Sequence, residues 1–212
     1  MKNHVLLPGL VFLSGALLFS LANVTDVYAQ ARRARAPARA PVSTMRGAVV
    51  VKQISGMGTA GKVKTPNYQT DSVEQNPRIL EWARVTINYE TKADWIDELE
   101  MRYYVVTRNQ KNNTYVMYQA TYVYEEIPKG RHKSAVFLHP HTVRRYGGFV
   151  DRVAVEIYIK GELVATFSNP SGSKQWWRMA TNVKTIKGKL LDRSKTPFAF
   201  IAYDAYQIVK PK

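Results

Sequence analysis

The sequence predicts an all-β domain, an antiparallel β-sandwich, and three observations predict it. Apolar and polar side chains alternate over several stretches, no period near 3.6 persists, and Tyr is abundant at 13 copies in 212 residues. Alternation sends one set of side chains into a core and the other toward water, the pattern of a half-buried antiparallel strand. Aromatic rings suit such flat strand faces. The length fits one domain with appendages. With 0 Cys, disulfides, thiolate chemistry and Cys-ligated metal centres are excluded, and the fold rests on its core.

Residues 1–29 read as a signal peptide. Met1-Lys2-Asn3-His4 is a short polar start, Val5–Ala22 carries no charge, and Val27 and Ala29 stand at the −3 and −1 positions of a cleavage site. The alternative is a retained membrane anchor, for which the run is at the short end of what crosses a hydrocarbon core of about 30 Å. Pro8 and Gly9 inside the run favour export, with cleavage at Ala29 or at Ala22.

Residues 30–46 read as a disordered basic arm. Positions 31–41 hold only Ala, Arg and Pro, with no large apolar side chain to offset the entropy of ordering. Arg32, Arg33, Arg35, Arg39 and Arg46 give the arm its charge, so it is either a solubilising linker or a hook for lipid headgroups and other anions.

The sandwich is expected over residues 47–212. Strands are predicted near Ala48–Ile54, over Arg84–Glu90, over Glu98–Val106, and near Thr114–Tyr124, Ser134–Leu138, Arg152–Lys160, Leu163–Phe167 and Phe198–Tyr203. Val85, Ile87, Leu99, Met101, Val153, Val155 and Ile157 should form the core, with Thr91–Asp97 as a polar turn between two strands. Lys160-Gly161 marks a tight hairpin. Helix is expected only as a short turn at His141–Tyr146 and, limited by Pro77, within Asp71–Arg84. A small closed barrel is the alternative architecture.

The chain shows no Gly-rich phosphate loop, no nucleophile elbow and no HExxH pair, so no catalytic, cofactor-binding or metal-ligating residue is assigned and the protein is read as a non-enzyme. His139 and His141 are two apart but lack further ligands nearby. Glu90, Asp94, Asp97, Glu98 and Glu100 form an acidic cluster, read as solvent-facing rather than catalytic. Two features suit binding. Trp176-Trp177 beside Arg178 is either a stacking platform or a cap on the core. Lys174, Arg178, Lys184, Lys187, Lys189, Arg193 and Lys195 make a basic stripe with one acid, Asp192. With the arm and the Trp pair, that stripe is the candidate site for an anionic polymer such as an acidic glycan; export argues against nucleic acid.

Three segments carry a resemblance: Trp82-Ala83-Arg84-Val85-Thr86-Ile87-Asn88-Tyr89, Asp94-Trp95-Ile96-Asp97-Glu98-Leu99, and Thr196-Pro197-Phe198-Ala199-Phe200-Ile201-Ala202-Tyr203. With the signal peptide and basic arm, the domain from about Gly47 onward resembles exported immunoglobulin-like proteins of Verrucomicrobia-type bacteria, some associated with type IV pilus gene clusters such as that of Akkermansia. The resemblance implies an immunoglobulin-like sandwich without catalytic residues. It further implies a periplasmic or cell-surface protein that binds envelope or pilus proteins.

Overall fold

The computed structural model describes residues 47–67, 79–172, 174–180 and 182–211; the expected signal peptide and arm lie outside them. Among the described residues, eight strands, two short helices and two 3-10 turns follow in order. They are β1 (Val49–Ser55), β2 (Lys62–Lys64), β3 (Glu81–Asn109), β4 (Thr114–Leu138), α1 (Pro140–Tyr146), β5 (Phe149–Ile159), β6 (Glu162–Asn169), α2 (Trp176–Met179), β7 (Lys184–Lys187) and β8 (Leu190–Asp192), then 3-10 turns at Arg193–Lys195 and Tyr203–Ala205.

The spine is the β3–β4 hairpin. β1, β2 and β5 pair antiparallel with one edge of β3, and β6 continues from β5; β7 and β8 pair with the far edge of β4. Chain geometry requires this hairpin to fold on itself. Lys187 of β7 partners Gln119, and Leu190 of β8 partners Leu138. Nineteen residues of straight β4 would separate those partners by roughly 60 Å, whereas the three-residue step from Lys187 to Leu190 reaches about 11 Å at most. The two halves of the hairpin therefore face each other as the layers of a sandwich, with β7 in one and β8 in the other. On the opposite side, β1 lies against β6 without a ladder between them. Past the end of β1, the Gly58 amide donates to the Val150 carbonyl of β5 at 2.7 Å, and the Val150 amide donates back at 3.2 Å.

The bend replaces the expected Thr91–Asp97 turn. β3 does not stop there; its ladder with β4 resumes after an irregularity between the pairs Thr91–Gly130 and Trp95–Pro128. Residues 92–94 thus face Lys129 alone, an enlarged bulge of the kind that lets a strand pass from one layer to the other. A polar knot holds it. The buried Thr91 hydroxyl donates to the Pro128 carbonyl at 2.7 Å and accepts the Gly130 amide at 3.1 Å. His132 Nε2 lies 2.7 Å from the same Pro128 carbonyl and 3.0 Å from Thr91 Oγ1, while His132 Nδ1 meets the Gln207 amide at 2.6 Å. The network is consistent when Nδ1 accepts from Gln207 and Nε2 carries the proton.

Val85, Ile87, Leu99, Met101, Val153, Val155 and Ile157 are all buried in one main core, as alternation requires. At 1.5–3 kcal/mol per fully buried side chain of this kind, they are a large part of what holds the domain together. β5 and β6 meet at the expected two-residue turn, with Lys160 at φ 50 and Gly161 at φ 80, the backbone twist that a tight hairpin uses. α1 forms where a helical turn is expected, opened by Pro140 and by His139, whose ring accepts the His141 amide at 3.2 Å.

Three expectations are corrected. Arg84–Glu90 and Glu98–Val106 are one strand, as are Thr114–Tyr124 and Ser134–Leu138. Glu81–Arg84 opens β3 rather than ending a helix; residues 71–78 of that predicted helix lie outside the described set. Phe198–Tyr203 is a chain of turns, because its hydrogen-bonding groups are taken locally: the Ala199 amide donates to Thr196 O and the Ile201 amide to Phe198 O, both at 3.2 Å.

Candidate functional site

The residues of the basic stripe meet different neighbours along its length. Lys174 is exposed ahead of α2, and Arg178 turns back onto the sheet. Lys184 stands over the Tyr146 ring at 5.5 Å. Lys187 and Lys195 border a groove of about 630 Å³ whose floor includes Arg102 and Tyr104, and Glu100 there takes Arg102 Nε at 2.6 Å. Lys189 is exposed near His139, whose pKa is lowered by burial and then by the charges of His141 and Lys189. Arg32, Arg33, Arg35 and Arg39 lie outside the described residues.

The Trp pair divides. Trp177 is buried, and its indole N–H donates to Glu156 Oε1 at 2.9 Å; Trp176 is half-buried beside a shallow depression with Val106, Met179 and Val183. Glu156, only 1% exposed on β5, is the organising group. Arg178 Nε reaches Oε1 at 2.8 Å, and the Tyr104 and Tyr158 hydroxyls donate to Oε2 at 3.2 and 2.9 Å. Burial pushes the Glu156 carboxyl up, but donation from Trp177, Arg178 and Tyr158 outweighs it and holds the group below its usual value of 4.5. Burial, and then the Glu156 charge, push the Tyr104 phenol up to about 12. This is a clamp that seats α2 on the sheet.

The acidic cluster is spread along β3 and largely paired. Lys52 binds Glu90 at 2.8 Å, Lys129 lies 3.4 Å from Asp94, Arg102 binds Glu100, and Lys210 bridges Glu98 and Glu125. Among the described residues no group of three or more His, Cys, Asp or Glu converges as a metal site, and no helix is long and apolar enough to cross a membrane.

Strand reasoning missed the most exposed large apolar side chain among the described residues. Arg193, standing after β8, gathers the C-terminal turns: Nε donates to the Phe198 carbonyl at 3.0 Å, Nη1 to Tyr203 O at 3.5 Å, and Nη2 to Ile201 O. Its guanidinium also lies over the Tyr206 ring at 4.5 Å. Phe198 stacks on Phe137 at 4.9 Å and meets Trp82 edge-on at 5.8 Å, forming a second apolar cluster with Ala135. Between these anchors Phe200 is 79% exposed, Tyr203 58% and Ile201 43%. The run Phe198–Tyr203 was visible as apolar, but its anchor is a side chain five to ten residues earlier, which no strand pattern signals.

The comparisons agree with this architecture. A search of curated proteins finds no match. Among solved structures, a crystal structure of a protein from Akkermansia muciniphila matches at 24% identity and a TM-score of 0.66, covering 77% of this chain and 93% of that one; it is similar in fold. A family model matches residues 45–212, the whole of the sandwich. The chain therefore belongs to that family, a family of pilus-associated proteins.

Proposed function

We propose that this pilus-related protein is a non-enzymatic interaction platform of the cell envelope that meets partner proteins through its C-terminal turns. One observation carries the reading: apolar side chains held outward on a rigid frame. Phe200 sits between the Phe198 anchor and the Arg193 clamp, which holds the main-chain carbonyls of Phe198, Ile201 and Tyr203, so the backbone is fixed while the side chains of Phe200, Ile201 and Tyr203 stay exposed. Exposed apolar clusters on a rigid scaffold are typical of protein contact sites, and aromatic side chains dominate their energetics. Residues 1–29 serve as the export signal and residues 30–46 as a tether for the sandwich at the periplasmic or outer surface. Co-purification from native envelope tests the reading. The full chain should capture envelope or pilus proteins, and the paired change Phe200→Ser, Tyr203→Ser should lose them while leaving the melting temperature in place. Equal capture by both proteins, or no capture by either, sinks the proposal.

A further inference from the structure

A cleft of about 490 Å³ opens where β1, β3 and β4 pass beneath the C-terminal 3-10 turn. Lys52, Asn88, Arg131, His132, Lys133 and Ala205 border it, and no carboxylate is among its lining residues. Pairing in register explains how the cations meet. Asn88 faces Lys133 and Glu90 faces Arg131 across the β3–β4 ladder, so Arg131 and Lys133, two apart on β4, share one sheet face. Lys52 joins from β1, where the ladder irregularity between Val51 and Gln53 places it, and it binds Glu90 at 2.8 Å. Arg131 and Lys133 are exposed and enter no ion pair among the described residues. Asn88 adds an acceptor: its amide N–H reaches Gln53 at 3.5 Å, while its buried Oδ1 has no partner among the described residues.

We infer that this cleft receives a carboxylate-rich peptide segment of the protein that docks on the neighbouring C-terminal turns; the inference rests on the platform reading. Two features select that ligand. Arg131 and Lys133 are exposed and enter no ion pair among the described residues, while Glu90, the acid beside them, is held by Lys52, so the cleft carries a surplus of positive charge that calls for carboxylates. The Asn88 acceptor calls for an N–H, which a peptide backbone supplies beside its acidic side chains. Position selects the partner. Ala205 borders the cleft and ends the turn that begins at Tyr203, so one docked chain spans the apolar side chains and the cations together. The basic stripe of the sequence lies elsewhere, and its groove contains Glu100.

Fluorescence anisotropy with a capped, labelled hexaglutamate peptide and the full chain, in about 20 mM salt, tests this. Arg131→Gln with Lys133→Gln should weaken binding about five- to tenfold, as expected for loss of two exposed charge contacts. Lys187→Gln with Lys195→Gln removes the same net charge at the other groove and should leave binding within about twofold. Absence of peptide binding, equal weakening by both pairs, or tighter binding of polygalacturonate than of the peptide overturns the inference. Its fate is separable from that of the platform. Envelope capture that needs Phe200 but survives the Arg131 and Lys133 changes overturns the cleft assignment and keeps the platform. Peptide binding without envelope capture leaves the carboxylate site and removes the platform.

Discussion

Two polar centres hold this sandwich together, and they solve the same burial problem with opposite chemistry. At the bend of the β3–β4 hairpin, Thr91, His132 and Gln207 form a hydrogen-bonded knot, with no carboxylate in it, around the Pro128 and Gly130 backbone. On the outer face of β5, Glu156 places a buried charge among four donor residues, Trp177, Arg178, Tyr104 and Tyr158. The difference follows from what each centre touches. The bend must satisfy main-chain groups released by the bulge, for which a hydroxyl and an imidazole suffice. The clamp must hold a four-residue helix that has no side-chain cap of its own, and a charge with converging donors does so strongly. Its guanidinium partner stays 49% exposed, so only the carboxylate bears full desolvation.

That contrast breaks most visibly when the charge is removed. Glu156→Ala strands the Trp177 indole N–H and releases α2, and should lower unfolding free energy by about 3 kcal/mol, at the low end for breaking a buried ion pair because Arg178 can rehydrate. Urea denaturation followed by Trp fluorescence measures it. A loss under 1 kcal/mol would show that α2 is held by packing alone.

Acid titration sharpens the same comparison. Because the folded carboxyl of Glu156 lies below the usual 4.5, its contribution is present above that pH and is lost as pH falls through the folded value. The stability gap between wild type and Glu156→Gln should therefore be constant near neutrality and close progressively below about pH 4.5. A gap that holds constant down to pH 3 would remove the charge from the account and leave only shape.

The knot at the bend should respond less. Thr91→Val keeps the volume but removes the donor to Pro128 and the acceptor for the Gly130 amide, a loss of about 1–2 kcal/mol for buried groups left unpaired. Amide exchange localises the effect: Gly130 should exchange faster, while the β5–β6 hairpin stays protected.

These two centres also explain which parts of the molecule were legible in the sequence. Val85, Ile87, Leu99 and Met101 announced the core because a strand repeats every two residues and burial selects one phase. Thr91–Asp97 looked like a turn because polar residues at a strand break and polar residues at a bend do the same local work; only the partner segment at Pro128–His132 distinguishes them. Trp177 declared itself as an aromatic but not as a donor, since Glu156 lies 21 residues away. Lys52, Arg131 and Lys133 come from two strands, and their meeting is a product of register. The Phe200 turn was missed for a similar reason. Arg193 was counted as one charge of a stripe, whereas its geometry makes it a carbonyl clamp.

The smallest effect on stability belongs to the surface with the largest proposed role. Phe200 is 79% exposed and belongs to neither buried cluster, so Phe200→Ser should change unfolding free energy by no more than about 0.5 kcal/mol, as for an ordinary surface site. Phe198→Ala, two residues earlier, removes the ring stacked on Phe137 and should lower stability by about 3 kcal/mol. The pair separates scaffold from contact within one turn. If Phe200→Ser destabilises as much as Phe198→Ala, the outward ring is part of the fold and the turn presents nothing; if it is neutral and envelope capture is lost, the anchor and the contact are distinct residues on one frame.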